Sequence, residues 1–172
     1  MAAAGIWIRL KAFLWDYLWI GLYLMLLALV TVFAVPDIQG LFQGSLLMAQ
    51  LAGFLLVTMP VSLYFAVFDS RHFRGSFGKR KMKIQVAGSN GKTVGLMRSA
   101  VRTALKFTPW ELSHFLVYRL VENGEESIPA IWMWVGAGIY GLLFLYILSA
   151  LLSKEKRALY DWLSGTKVIK KE

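Results

Sequence analysis

Apolar residues gather in three long blocks. Phe13–Val35, Leu46–Phe68 and Ile131–Leu152 are 23, 23 and 22 residues long, and Asp16 is the only charged residue among them. At about 1.5 Å per residue, each can cross the ~30 Å hydrocarbon core of a bilayer with some tilt. Trp7, Trp15, Tyr17 and Trp19 crowd the start of the first block, and Trp132 and Trp134 open the third. Aromatic residues concentrate in this way at headgroup interfaces. Pro36–Gly40 breaks the first block. Pro60 falls inside the second, with Thr58 and Ser62 beside it to serve the backbone groups that a proline leaves unpaired, so a kink is expected there. Gly136, Gly138 and Gly141 would let another helix approach the third closely.

A fourth block, Thr103–Val121, is weaker. Thr108-Pro109-Trp110-Glu111 has the form of a capping box with proline at the first helical position, so a helix should start or kink at Pro109. A start near Thr103 gives just enough length to cross, with Lys106 and Arg119 snorkelling at opposite ends. Between the second and fourth blocks the period changes. Lys83–Val86 alternates like a strand, Asn90-Gly91 is a hairpin signal, and Lys92–Val94 is the expected return. Near the end, Arg157–Trp162 reads as a short helix stopped by Gly165. Thr166–Lys170 then alternates again and is expected to pair with Lys83–Val86. The pattern predicts a single all-α membrane domain over residues 1–172. It is a bundle of about four transmembrane or membrane-embedded helices near 13–35, 46–68, 103–121 and 131–152. A small cytoplasmic β-hairpin or sheet near 79–95 and a cytoplasmic tail, 153–172, complete it.

Composition agrees: 58% of the 172 residues are hydrophobic and the mean hydropathy is +0.56. The first block is longer than a signal-peptide core and is expected to be a retained helix. Cysteine is absent, which excludes disulfides and thiolate chemistry. Two basic residues precede the first block, ten lie in Asp69–Lys106 and six follow Leu152. None lies in Pro36–Ser45 or Glu122–Pro129. The positive-inside rule then puts both termini and the middle loop in the cytoplasm, with the acidic Glu122–Ser127 loop outside. That arrangement makes Thr103–Val121 the fourth crossing; three crossings with an external basic tail is the alternative. A bacterial cytoplasmic membrane is the expected location. The net charge of +9 points to anionic lipid headgroups as partners, not nucleic acid, since no nucleic-acid motif accompanies it. Gly88–Thr93 imitates a phosphate loop, but position 86 is valine where that motif needs glycine.

Two places carry candidate chemistry. Asp16 is a carboxylate inside an apolar helix, which costs about 2.5–3.5 kcal/mol on insertion scales unless it is compensated. Arg9, seven residues earlier, shares its face. Glu111 and His114, three apart, also share a face and could hold a proton or cation at depth, or lie at the surface as a cap and a polar residue. Two such ligands are too few for a metal site. No nucleophile, base and orienter occur together, so neither an enzyme nor a cofactor is expected.

Arg9, Asp16 and Asp161 make the chain resemble the RDD family of small membrane proteins, named for one arginine and two aspartates. The first motif is Arg9-Leu10-Lys11-Ala12 leading to Asp16. The glycine–lysine turn of that family matches Gly75-Ser76-Phe77-Gly78-Lys79-Arg80. Its paired arginines match Arg98 and Arg102, and its last motif matches Arg157–Val168. Tyr160 stands where many members have histidine. The resemblance implies a membrane domain for which transport, including cation/proton exchange, has been proposed. Arg9, Asp16, Asp161, Arg98 and Arg102, with Glu111 and His114, are then the candidate network, and Gly75, Gly78 and Lys79 the motif turn.

Two readings of the network follow. In one, Asp16 bonds Arg9 or a loop arginine such as Arg98 or Arg102, and Asp161 does likewise from the tail, as an ion-paired staple. In the other, Asp16 binds a cation or proton in a wet cavity. Four short helices seldom enclose a pathway, so a homo-oligomer or another membrane protein is expected as partner. A non-catalytic scaffold or regulator is the alternative to a transporter component.

Overall fold

The computed structural model describes residues 2–123 and 129–171. Helix α1 (Ile6–Leu29) continues as a π-helical turn to Ala34, and a 3-10 turn, Pro36–Phe42, follows. The second long stretch has two α-helical pieces, α2 (Leu46–Gly53) and α3 (Met59–Phe68), joined by a π-helical turn, Phe54–Thr58. The Ser45 hydroxyl caps α2 by accepting from the Met48 amide at 3.2 Å. Next come α4 (Phe77–Lys81), β1 (Ile84–Gly88), α5 (Leu96–Asn123), α6 (Ala130–Leu152), α7 (Leu159–Leu163) and β2 (Thr166–Lys170). Ile6–Ala34, Leu46–Phe68 and Ala130–Leu152 are long and apolar enough to cross a membrane. The expected acidic loop, from Gly124 onwards, lies outside the described residues.

Helix α5 is too polar to qualify by hydropathy, yet its 28 residues, about 42 Å of helix, run the length of the bundle. It packs on α2, α3 and α6. Near its far end the Tyr118 hydroxyl lies against Gly53 of α2, and Leu116 touches Gly136 of α6. Among the described residues nothing lies close to Gly138 or Gly141, so of the three glycines Gly136 marks the close approach.

The helix neither starts nor breaks at Pro109. The Thr108 hydroxyl donates back to Ala104 inside the helix at 3.0 Å and forms no capping box. Proline removes the amide that would bond the carbonyl four residues back. That carbonyl, on Leu105, instead accepts from the Tyr146 hydroxyl of α6 at 2.6 Å. The same device recurs at Pro60. The freed carbonyl of Leu56 accepts from the Tyr23 hydroxyl of α1 at 2.5 Å, within the π-helical turn that precedes the proline. Tyr23, not Thr58 or Ser62, does the work expected of those hydroxyls; among the described residues Thr58 Oγ1 has no hydrogen-bond partner. Each proline thus couples its helix to a neighbour through one tyrosine.

At one end of the bundle β1 and β2 pair antiparallel, Val86 opposite Val168 and Gly88 opposite Thr166. The start of the chain runs along the other edge of β2, where the Ala4 amide donates to Val168 at 2.9 Å and the Lys170 amide to Ala2 at 3.0 Å. Ala4, Ala12, Ile84, Val86, Val94 and Val168 form the small apolar core between this sheet and α1. The expected 79–95 hairpin is reduced to its tip, where the Gly88 amide donates to Lys92 at 2.8 Å and the Gly91 amide to Gly88 at 2.8 Å. Lys92–Val94 adds one bridge to β1, Ala87 with Thr93. The Val94 carbonyl is instead taken by the Arg71 amide at 2.7 Å, which draws the chain away toward α5.

Candidate functional site: a ring of buried charges and the cavity beside it

At the sheet end of the bundle, three buried aspartates meet three cations, Arg9, Lys79 and Arg102. Asp16, Asp69 and Asp161 are each at most 1% exposed. Asp161 opens α7. One of its oxygens accepts from Arg9 at 3.1 Å and from the Ala158 amide at 3.2 Å; the other accepts from Arg102 Nε at 2.8 Å and from Thr166 at 3.3 Å. Arg102 reaches onward to Asp69, at 3.5 Å. Lys79 of α4 holds both oxygens of Asp69, at 2.9 and 2.7 Å. The Ser76 amide donates to Asp69 at 3.2 Å, and its hydroxyl donates to Asp16 at 2.6 Å. Arg9 and Asp16 both belong to α1. The contacts therefore close a ring: α1, α7, α5, the end of α3, α4 and back to α1.

Among the described residues Asp16 makes no ion pair, contrary to expectation. Its donors are Ser76, the Tyr64 hydroxyl at 2.8 Å and the Gly78 amide at 2.7 Å. The cause is steric. Gly78 packs so tightly on α1 that a Cβ there would stand 1.8 Å from the Ala12 carbonyl oxygen. Only glycine brings the start of α4 within hydrogen-bond reach of Asp16. With one backbone amide and two hydroxyls in place, the carboxylate needs no arginine, and Arg9 and Arg102 go to Asp161.

Gly75 makes the turn before α4 with φ of 136°, a conformation that favours glycine. Burial alone would push the Asp69 carboxyl up, but Lys79 and Arg102 together hold it below its ordinary value. Tyr160 lies 5.1 Å from the Arg102 guanidinium and 5.1 Å from the Tyr146 ring. Burial, reinforced by the negative charge of Asp161, pushes its hydroxyl up to about 12. It stays neutral near pH 7, unlike a histidine in its place.

Two groups of expected residues stand apart from the ring. Arg98 is exposed and makes no ion pair among the described residues. Glu111 and His114 lie farther along α5, 3.8 Å apart and partly exposed, with His114 against Trp110. Among the described residues no three His, Cys, Asp or Glu side chains converge as a metal site requires. Sequence reasoning missed Asp69, Ser76 and Tyr64. Asp69 directly follows the second apolar block and stands ten residues before Lys79, so it reads as a helix boundary.

A family model for the RDD family matches residues 3–165. The chain belongs to the RDD family. No curated protein and no solved structure matches it. Arg9 and Asp161, which carried the resemblance in the sequence, pair directly across 152 residues. Asp16 binds Ser76 and Gly78 of the turn before α4 instead.

Beside the ring lies a cavity of about 470 Å³. Arg9, Asp16, Lys79, Arg102 and Lys106 line its polar end. Lys106, expected to snorkel, turns inward among Phe13, Phe65 and Phe107. The cavity occupies the interval between α1 and α6, bounded by α5.

Proposed function

We propose that this RDD-family protein is a transporter component that binds a small solute in the cavity at the sheet end of the bundle. The supporting observation is charge. Three aspartates face Arg9, Lys79, Arg102 and Lys106, and the first three cations are paired. Lys106 is left over; in its protonated form it gives the cavity an excess positive charge, which favours an anion over a cation. The ring itself acts as the rigid frame. Asp16 is already satisfied by three donors, and a cation there would meet repulsion from Lys79 and Lys106. Cation/proton exchange through Asp16 is thus the less favoured mechanism.

In this reading α5 is the fourth crossing and the sheet end, where most of the basic residues collect, faces the cytoplasm. The location is the bacterial cytoplasmic membrane. A second copy or another membrane protein completes the pathway, because the cavity is bounded by only a few helices. Proteoliposome uptake of labelled small anions and of sodium or potassium tests the proposal. Anion uptake lost in Lys106→Met is the expected result. Proton movement coupled to sodium or potassium, abolished by Asp16→Asn, would overturn the charge argument.

A further inference from the structure

Lys106 is one helical turn deeper into the bundle than Arg102. Its ammonium stands 4.2 Å from the Phe65 ring centre, 4.6 Å from Phe13 and 5.0 Å from Phe107. Among the described residues no carboxylate pairs with it. Ring faces attract a cation, but they do not neutralise it as an anion would. Beyond Lys106 the cavity turns apolar. Phe13 and Tyr17 of α1, Trp110 of α5 and Leu143 and Ile147 of α6 form its walls. Leu143 and Ile147 are partly exposed and belong to a membrane-length helix, so the cavity meets the hydrocarbon side of the bundle. A small hydrated anion would satisfy the lysine and leave the apolar walls wet. A molecule with an anionic head and a hydrocarbon chain satisfies both.

We propose that the cavity between α1 and α6 seats one acidic lipid, with its headgroup on Lys106 and an acyl chain along Phe13, Trp110 and Ile147. This rests on the cavity being the binding site, as above, and not on movement across the membrane. The bilayer supplies the ligand from the side, through the interval between the two helices. A second cavity, of about 410 Å³, lies between Trp19, Pro60, Tyr64 and Phe77 with Arg80 at its edge. Arg80 is exposed, so water and salt screen its charge and it serves as an internal control.

The full chain, purified in neutral detergent, is incubated with phosphatidylglycerol, with phosphatidylcholine of the same chains, or with inorganic phosphate alone. Bound lipid is counted by native mass spectrometry and thermal unfolding is recorded in parallel. One phosphatidylglycerol retained at least tenfold more tightly than phosphatidylcholine is expected. Lys106→Met should abolish the preference, while Lys106→Arg and Arg80→Met keep it. Ile147→Trp fills the apolar end without touching the charge; it should weaken retention while leaving lipid-free unfolding unchanged. Undiminished phosphatidylglycerol preference in Lys106→Met would overturn the proposal. So would equal stabilisation by inorganic phosphate alone, or a dimer that is lost in Ile147→Trp while lipid retention persists. Lipid retention without anion flux would overturn the transport proposal alone; Lys106-dependent anion flux without lipid preference would overturn this one alone.

Discussion

Gly78→Ala tests whether the close approach of α4 to α1 holds the ring together. The added methyl carbon would lie 1.8 Å from the Ala12 carbonyl oxygen, 2.8 Å from its carbonyl carbon and 3.0 Å from the Asp16 carboxyl carbon. Contacts below 3.0 Å essentially do not occur, so α4 must retreat by roughly 1.2 Å. That movement stretches the 2.7 Å bond from the Gly78 amide and the 2.6 Å bond from Ser76 together. A hydrogen bond to a charged group contributes about 1.5–3 kcal/mol, so two of them make a loss of at least about 3 kcal/mol. At about 2–4 °C per kcal/mol for a chain of this size, unfolding should begin roughly 6–12 °C lower. Thermal unfolding in detergent, followed by tryptophan fluorescence, measures it. The Gly78→Ala/Asp16→Asn double variant should lose much less than the sum of the singles, because both act on the same bonds. Strict additivity, or a Gly78→Ala shift under 2 °C, would refute the steric account.

Further outcomes follow from the same contacts. Asp161→Ala strands Arg9 and Arg102 without their best partner and should cost about 3–5 kcal/mol; Arg9→Met made together with it should recover part of that loss in the same unfolding assay. Tyr146→Phe leaves the Leu105 carbonyl orphaned and should cost about 1–3 kcal/mol. In a Pro109→Ala background the restored helical amide takes that carbonyl, and Tyr146→Phe should become nearly neutral; an unchanged cost would show that the hydroxyl acts elsewhere. Asp69 is held below its ordinary value of 3.8 in the folded protein. Its contribution is complete above that value and lost as pH falls through the lower folded value. A pH series of unfolding midpoints should show an acid-limb component that disappears in Asp69→Asn.

The membrane helices were legible because each apolar block carries its own signal in adjacent residues. The pairing of Thr166–Lys170 with Lys83–Val86 was legible too, since both segments alternate and their inward faces are apolar. Other features depend on partners remote in sequence. At Pro109 the local rule says break, and the helix continues because Tyr146 supplies the missing bond. Arg9 and Asp16 look like a pair by spacing, but the approach allowed by Gly78 gives Asp16 other donors. Lys92–Val94 has a good hairpin turn before it, yet Arg71 claims the carbonyl that a longer strand would use. Lys106 at a helix end resembles a snorkelling residue, and only the packing of Phe13, Phe65 and Phe107 around it shows otherwise.

The two proline–tyrosine couplings span 33 and 41 residues, whereas the bond from Arg9 to Asp161 spans 152. A chain made at about 5–20 residues per second therefore completes its two helical hairpins well before its ring. Arg9 and Arg102 wait, without the carboxylate they share, until Asp161 leaves the ribosome. A chain cut short before α7 would leave Arg9 without a carboxylate and Arg102 with Asp69 alone, at 3.5 Å.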